Sequence, residues 1–182
     1  RFCGLLWNWQ HDFQAWGFYF HFNQQQIYWP LNAAGHHDLV TAYLNMRFNG
    51  LVHAKEDAEC IFGIQGAVVS DVSERRGYNS KSEFHNHTPV AQIAMEFWRQ
   101  YQYTGDEAFL REQALPYMVE AASFFATLFE KTTDETYHAR GGSAYEGGPL
   151  MRDVVSEIVT AHVLFPAVLE ALRIVGATHP ES

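Results

Sequence analysis

Residues 88–128, "TPVAQIAMEFWRQYQYTGDEAFLREQALPYMVEAASFFATL", read as a helical hairpin. Val90, Ala94, Phe97, Trp98 and Tyr101 recur at i, i+4, i+7, i+8 and i+11, one face of an α-helix. Thr88 is the expected N-cap, with Pro89 at the first helical position, where its missing N–H has no partner to lose. Gly105 stops this helix. Asp106 is the expected cap of a second helix, which carries Phe109, Leu110 and Ala114. Pro116 should kink or restart it. Met118, Ala121, Ala122, Phe125 and Leu128 continue its apolar face.

The flanking sequence follows the same pattern. His37–Asn49 places Leu39, Val40, Tyr43, Leu44, Met46 and Phe48 at helical spacing, with Asn49-Gly50 as the stop. Residues 54–62 read as a further helix ended by Gly63, and a short helix is expected at 23–28, limited by Pro30. Residues 1–17 have no clear period, and 64–78 are turn-rich, with Asp71, Glu74, Arg75 and Arg76 in a charged loop. Residues 132–148 read as a Gly-rich polar loop. A last long helix is predicted from about 149 to 175, bent at Pro166. Its expected inward residues are Met151, Val154, Val155, Ile158, Phe165, Leu169 and Leu172. The predicted class is all-α: paired helices with long loops, as a bundle or an α/α toroid whose antiparallel hairpins ring a central site.

A chain of 182 residues, 47% apolar and 18% charged, is long enough for one globular domain with a real core. Net charge is −9, and the 12 Lys and Arg form no long basic run, which argues against nucleic acid and anionic membrane as partners. No run of 18 uncharged apolar residues marks a membrane span. The chain opens at Arg1, without an initiator Met, and reads as a piece of a longer protein whose localisation its first residues do not set. Cys3 and Cys60 lack metal-type spacing and are expected as buried thiols.

Aromatic residues make up 15% of the chain, and they cluster between Trp7 and Trp29. Within that cluster, "HFNQQQIYWP" (21–30) sets amides beside large rings. A buried amide without a partner costs about 1–3 kcal/mol, so these side chains are exposed, networked, or hold a polar ligand. Flat rings beside Asn, Gln and His suit a sugar, whose C–H faces stack on rings while amides bond its hydroxyls. Glu146 lies in the glycine-rich "GGSAYEGGP" (141–149) before a helix. Glycines allow close approach of a ligand, and Tyr145 could shield the carboxyl, which would suit a general acid; the alternative is a solvated loop carboxylate. His85 and His87 have H-x-H spacing, but no third ligand accompanies them. Polar or sugar contacts are therefore the better reading, with no metal and no cofactor expected.

Four stretches fall in one order: "GLLWNW" (4–9), "AWGFYFHFNQQQIYWP" (15–30), "YQYTGDEAFLREQALPYMVEAASFF" (101–125) and "SAYEGGPLMRDVVSEIV" (143–159). That order resembles the catalytic domain of glycoside hydrolase family 95, the inverting α-L-fucosidases and relatives. The resemblance implies a partial (α/α)6 toroid of helical hairpins with long functional loops. Residues 1–182 would then be a single domain, a fragment of a larger (α/α)6 catalytic domain. By position Asn23 matches the second asparagine of the family's N-x-N pair, which helps place the attacking water, and Glu146 matches the general acid. His21 stands where the first asparagine is expected, and Gln25, Tyr28, Trp29 and Pro30 also match. Glu146, Asn23 and His21 are thus the expected catalytic residues, with Trp16, Gln25, Trp29, Asp71 and His85 as sugar contacts. In this reading Asn23 and His21 point at the reacting centre, while Tyr28 and Trp29 pack behind. The family's base aspartate is expected beyond this chain.

The implied activity is that of an exo-acting, inverting α-L-fucosidase-like or α-L-galactosidase-like hydrolase of plant or host glycans. The expected partners are an oligosaccharide or polysaccharide substrate and the remainder of the toroid from the same parent chain. The family implies a secreted or periplasmic protein. Two alternatives are a polysaccharide lyase on an α/α toroid, with His21 or a tyrosine as the base, and a non-catalytic glycan-binding relative.

Overall fold

The computed structural model describes residues 19–80, 84–145 and 148–176. Trp16, Glu146, Cys3 and the N-terminal segment expected to lack a regular period lie outside the described residues. The elements run β1 (Tyr19–Phe20), α1 (His21–Tyr28), α2 (His37–Asn49), α3 (Leu51–Asp57), β2 (Val72–Ser73), α4 (Thr88–Thr104), α5 (Glu107–Phe109), α6 (Leu115–Leu128), β3 (Phe129–Lys131), β4 (Tyr137–Ala139) and α7 (Val155–Ile174). Two π-helical turns, Ala58–Phe62 and Leu110–Ala114, extend α3 and lead into α6. The second stands directly before Pro116, whose ring clashes with the carbonyl four residues back, and widening the turn relieves that clash.

Helices α4, α6 and α7 pack on one another and form the centre of the fold, with α2 against α4. The predicted inward face of α4 is the buried one: Val90, Ala94 and Phe97 are fully covered and Trp98 nearly so. Gly105 ends α4 in the left-handed region at φ +65°, which glycine adopts without a Cβ penalty. Asp106 Oδ1 then accepts from the Phe109 N–H at 3.0 Å and caps the next helix. Asp106→Ala is expected to cost about 1 kcal/mol in urea melts, while Asp106→Asn keeps most of it. Equal stability of the alanine variant would contradict the cap.

Several expectations need correction. Thr88 is the first helical residue rather than the cap, and His87 occupies the N-cap position without a side-chain capping bond to the helix. Asn86 does the capping instead: its Oδ1 accepts from Thr88 N at 3.2 Å and from Thr88 Oγ1 at 2.8 Å. The loop expected at 132–148 contains most of an antiparallel β3–β4 hairpin with Glu130 opposite His138. α7 starts at Val155, not near 149, and Met151, Val155 and Leu169 are exposed. Its packed face carries Ala161, Leu164, Ala167, Val168 and Ala171. Cys60 is an exposed free thiol, because it lies on the outward side of the π turn with Glu59 and Ile61.

By length and hydropathy α7 is apolar enough to cross a membrane, although no uninterrupted apolar run announced it. It packs on α4 and α6 through one side, and 33% of that apolar stretch is buried.

Candidate active site

Three helix N-termini meet at one end of the fold. His87, at the N-cap of α4, bonds Glu157 in the first turn of α7. His21, the first residue of α1, bonds Gln92, early in α4. The loop before β2 joins them, because the His21 backbone N–H donates to the Asp71 carbonyl at 2.7 Å. Aligned peptide dipoles make such ends partially positive, which favours negative charge developing or bound there.

A continuous polar chain runs across this end. Asn86 Nδ2 donates to Asp71 Oδ1 at 2.9 Å, and Asn86 Oδ1 accepts from Thr88. Gln92 Nε2 donates to Thr88 Oγ1 at 3.2 Å. Gln92 Oε1 in turn accepts from His21 Nε2 and from Gln25 Nε2, both at 2.8 Å. Beneath it Gln24 accepts from the buried Arg47 guanidinium at 2.5 Å, and Arg47 also donates to Ser73 Oγ at 2.8 Å. The amides of α1 are therefore split. Gln24 and Gln25 are buried and networked, whereas Asn23 and Gln26 are exposed.

His21 is buried, so it does not present its ring to solvent. With the proton on Nε2 donated to Gln92, Nδ1 is an acceptor, and it is buried without a hydrogen-bond partner among the described residues. Burial, with the Arg47 charge second, pushes the ring down to about 3, against the opposing bond to Gln92. The unfolded ring titrates near 6.5, so between those values the unfolded chain binds a proton that the folded chain does not. This contribution is complete above pH 6.5 and is lost as pH falls toward 3. Denaturant melts from pH 7 to pH 4 should lose stability less steeply in His21→Gln than in wild type; parallel slopes would contradict the neutral, buried ring.

Tyr28 packs behind as expected, stacked on Tyr43 at 4.5 Å. Trp29 does not. It is 43% exposed and lines a cleft of about 370 Å³ with Phe22, Gln25, Gln92, Glu96 and Thr160. Burial raises the pKa of the Glu96 carboxyl in the cleft wall, opposed by Arg99 and Trp29.

The glycine-rich loop is seated on the same end. Gly142 and Met151 pair in both directions, at 2.9 and 2.8 Å, and Ser143 N donates to the His85 carbonyl at 2.7 Å. Asp153, in the left-handed region at φ +57°, ties the loop's far end to β4 through Ala139 N and His138 Nδ1, both at 2.8 Å. Tyr145 is 61% exposed. His85 is exposed while His87 is buried against Glu157, so the H-x-H pair is divided between two environments.

The sequence reading missed Gln92, Asn86 and Glu157. Glu157 carried a signal: it is a carboxylate three residues after Val154, on what becomes the packed side of α7. Gln92 lies four residues after Thr88, one helical turn, in an otherwise apolar stretch.

The profile of the glycosyl hydrolase family 95 catalytic domain matches residues 4–178. This chain belongs to glycosyl hydrolase family 95. Comparison with curated proteins gives no match. Among solved structures, a protein described as a kojibiose phosphorylase from human microbiome superposes with TM-score 0.63 at 15% identity. The match covers 80% of this chain and 19% of that one, so the family 95 chain spans about a fifth of that structure's length. The likeness is one of fold, and the fold is a partial α/α toroid.

Proposed function

We propose that this chain is part of a larger (α/α)6 catalytic domain that removes terminal α-L-fucosyl or α-L-galactosyl residues from plant or host glycans, with inversion. The observation that carries the reading is the convergence of the α1, α4 and α7 N-termini at the end that holds Asn23 and the glycine-rich loop. A continuing toroid accounts for the exposed apolar side chains Phe22 and Trp29 and for Val155, Val159 and Val163 along one side of α7.

In this mechanism Glu146 gives its proton to the glycosidic oxygen. Asn23, exposed on α1, orients the water that attacks the opposite face of the sugar carbon. An inverting pair stands about 6.5–9.5 Å apart to admit that water, and the base comes from the rest of the parent chain. His21 and Gln25 act through Gln92, holding α1 in place beneath Asn23. Trp29 offers a flat wall to the sugar, and Trp16, Asp71 and His85 complete the proposed sugar contacts. His21, buried and held by Gln92, is not placed to abstract a proton, which disfavours the lyase alternative.

The test is a substrate panel on the full-length protein, followed by NMR with and without inorganic phosphate. Free fucose or galactose released at a rate independent of phosphate supports the reading. A sugar phosphate, an unsaturated uronide, or binding without turnover would each replace it.

A further inference from the structure

We propose that Glu157 and His87 form a clamp that sets the position of the glycine-rich loop, making both of them positioning residues for the group that loop carries. The inference rests on the reading of Glu146 as general acid for its kinetic consequence, but not for its structural one.

The pair is built into the interior. His87 Nδ1 lies 2.6 Å from Glu157 Oε1, and both side chains are almost completely buried. The imidazole is held edge-on between Phe62 and Phe124, with ring centroids 5.5 and 5.6 Å away. Its orientation is therefore fixed on three sides.

The loop rests directly on this pair. A Cβ built on Gly142 would overlap Glu157 Oε1 and come within 2.9 Å of His87 Nδ1, so only glycine lets the backbone lie so close. From that contact Gly142 pairs both ways with Met151, and Ser143 bonds the backbone two residues ahead of His87. Glu146 follows Gly142 by four residues.

A buried polar pair of this kind is weak evidence of a gain in stability, since apolar residues of similar volume often serve as well. Fixing one geometry is the better account of this one. It joins α4 to α7 at the level where the loop departs, and Glu157 Oε2 stays buried without a hydrogen-bond partner among the described residues.

The experiment uses the full-length protein with Glu157→Gln and Gly142→Ala, and with Asp106→Ala as a variant destabilised elsewhere. Hydrogen exchange is followed in peptides covering 140–152 and in α6. Turnover is measured on alkyl and nitrophenyl glycosides. Glu157→Gln should speed exchange of the loop at least tenfold while α6 is unchanged, and should slow the alkyl glycoside at least tenfold more than the nitrophenyl one. Asp106→Ala should do neither. Loop exchange that stays at the wild-type rate, or rises only in step with α6, overturns the clamp. Should Gly142→Ala fail to fold, Glu157→Gln alone decides. Faster loop exchange without the kinetic split upholds the clamp and removes Glu146 as the acid.

Discussion

Glu146→Gln in the full-length protein is expected to lower turnover of natural glycosides by about 10²–10⁴-fold, the usual contribution of a general acid. The amide keeps the shape of the side chain but has no acidic proton to deliver to the departing oxygen. Nitrophenyl glycosides leave readily without that proton and should lose much less. Asn23→Ala should behave differently, slowing both substrates alike, because a badly placed water handicaps attack whatever the leaving group. The two variants are thus separated by pattern as well as by size. Equal losses on both substrates for Glu146→Gln would make this residue a sugar contact. No loss would return it to the solvated carboxylate that a loop position allows.

Phe97→Ala is expected to destabilise the fold by about 3–5 kcal/mol, as large-to-small changes at fully buried aromatics do. The ring has no exposed surface. It stacks on Tyr117 at 4.7 Å and on Phe109 at 6.0 Å, with interplanar angles of 22° and 12°, and meets Phe48 at 6.3 Å. Phe97 therefore joins α4 to α2, α5 and α6 at once, and truncation leaves a cavity that three elements must close together. At about 2–4 °C per kcal/mol for a chain of this size, the melting temperature should drop by roughly 6–20 °C. A loss under about 1 kcal/mol would show that the hairpin closes around the gap and that this stack is not the centre of the core.

Much of this fold was legible in the sequence where a segment has one apolar face and a clear stop. α2 has its predicted bounds, and α4 ends at Gly105 where the left-handed stop was read. α7 resisted the same treatment because it is apolar around much of its circumference. Periodicity then cannot choose a face, and Met151, Val155 and Leu169 were assigned inward although they are exposed. β4 and the turn before it were read as loop, and β3 was not read as a strand, because three-residue strands are too short to show alternation.

The site divides in the same way. Two of the amides in "HFNQQQIYWP", Gln24 and Gln25, do form a network. Which amides are buried depended on Gln92, 67 residues beyond Gln25. His87 and Glu157 are 70 residues apart, and no local spacing connects them. Only the packing of α4 on α7 brings that pair under Gly142.

The most direct measurement of the central claim is a crystal structure of the full-length Glu146→Gln protein with an intact substrate bound. The account expects the sugar at the shared end of α1, α4 and α7. Its anomeric carbon should lie between Asn23 and the 143–151 loop, with residue 146 within hydrogen-bond reach of the glycosidic oxygen. A substrate bound elsewhere, with Asn23 and residue 146 facing different surfaces, would contradict it.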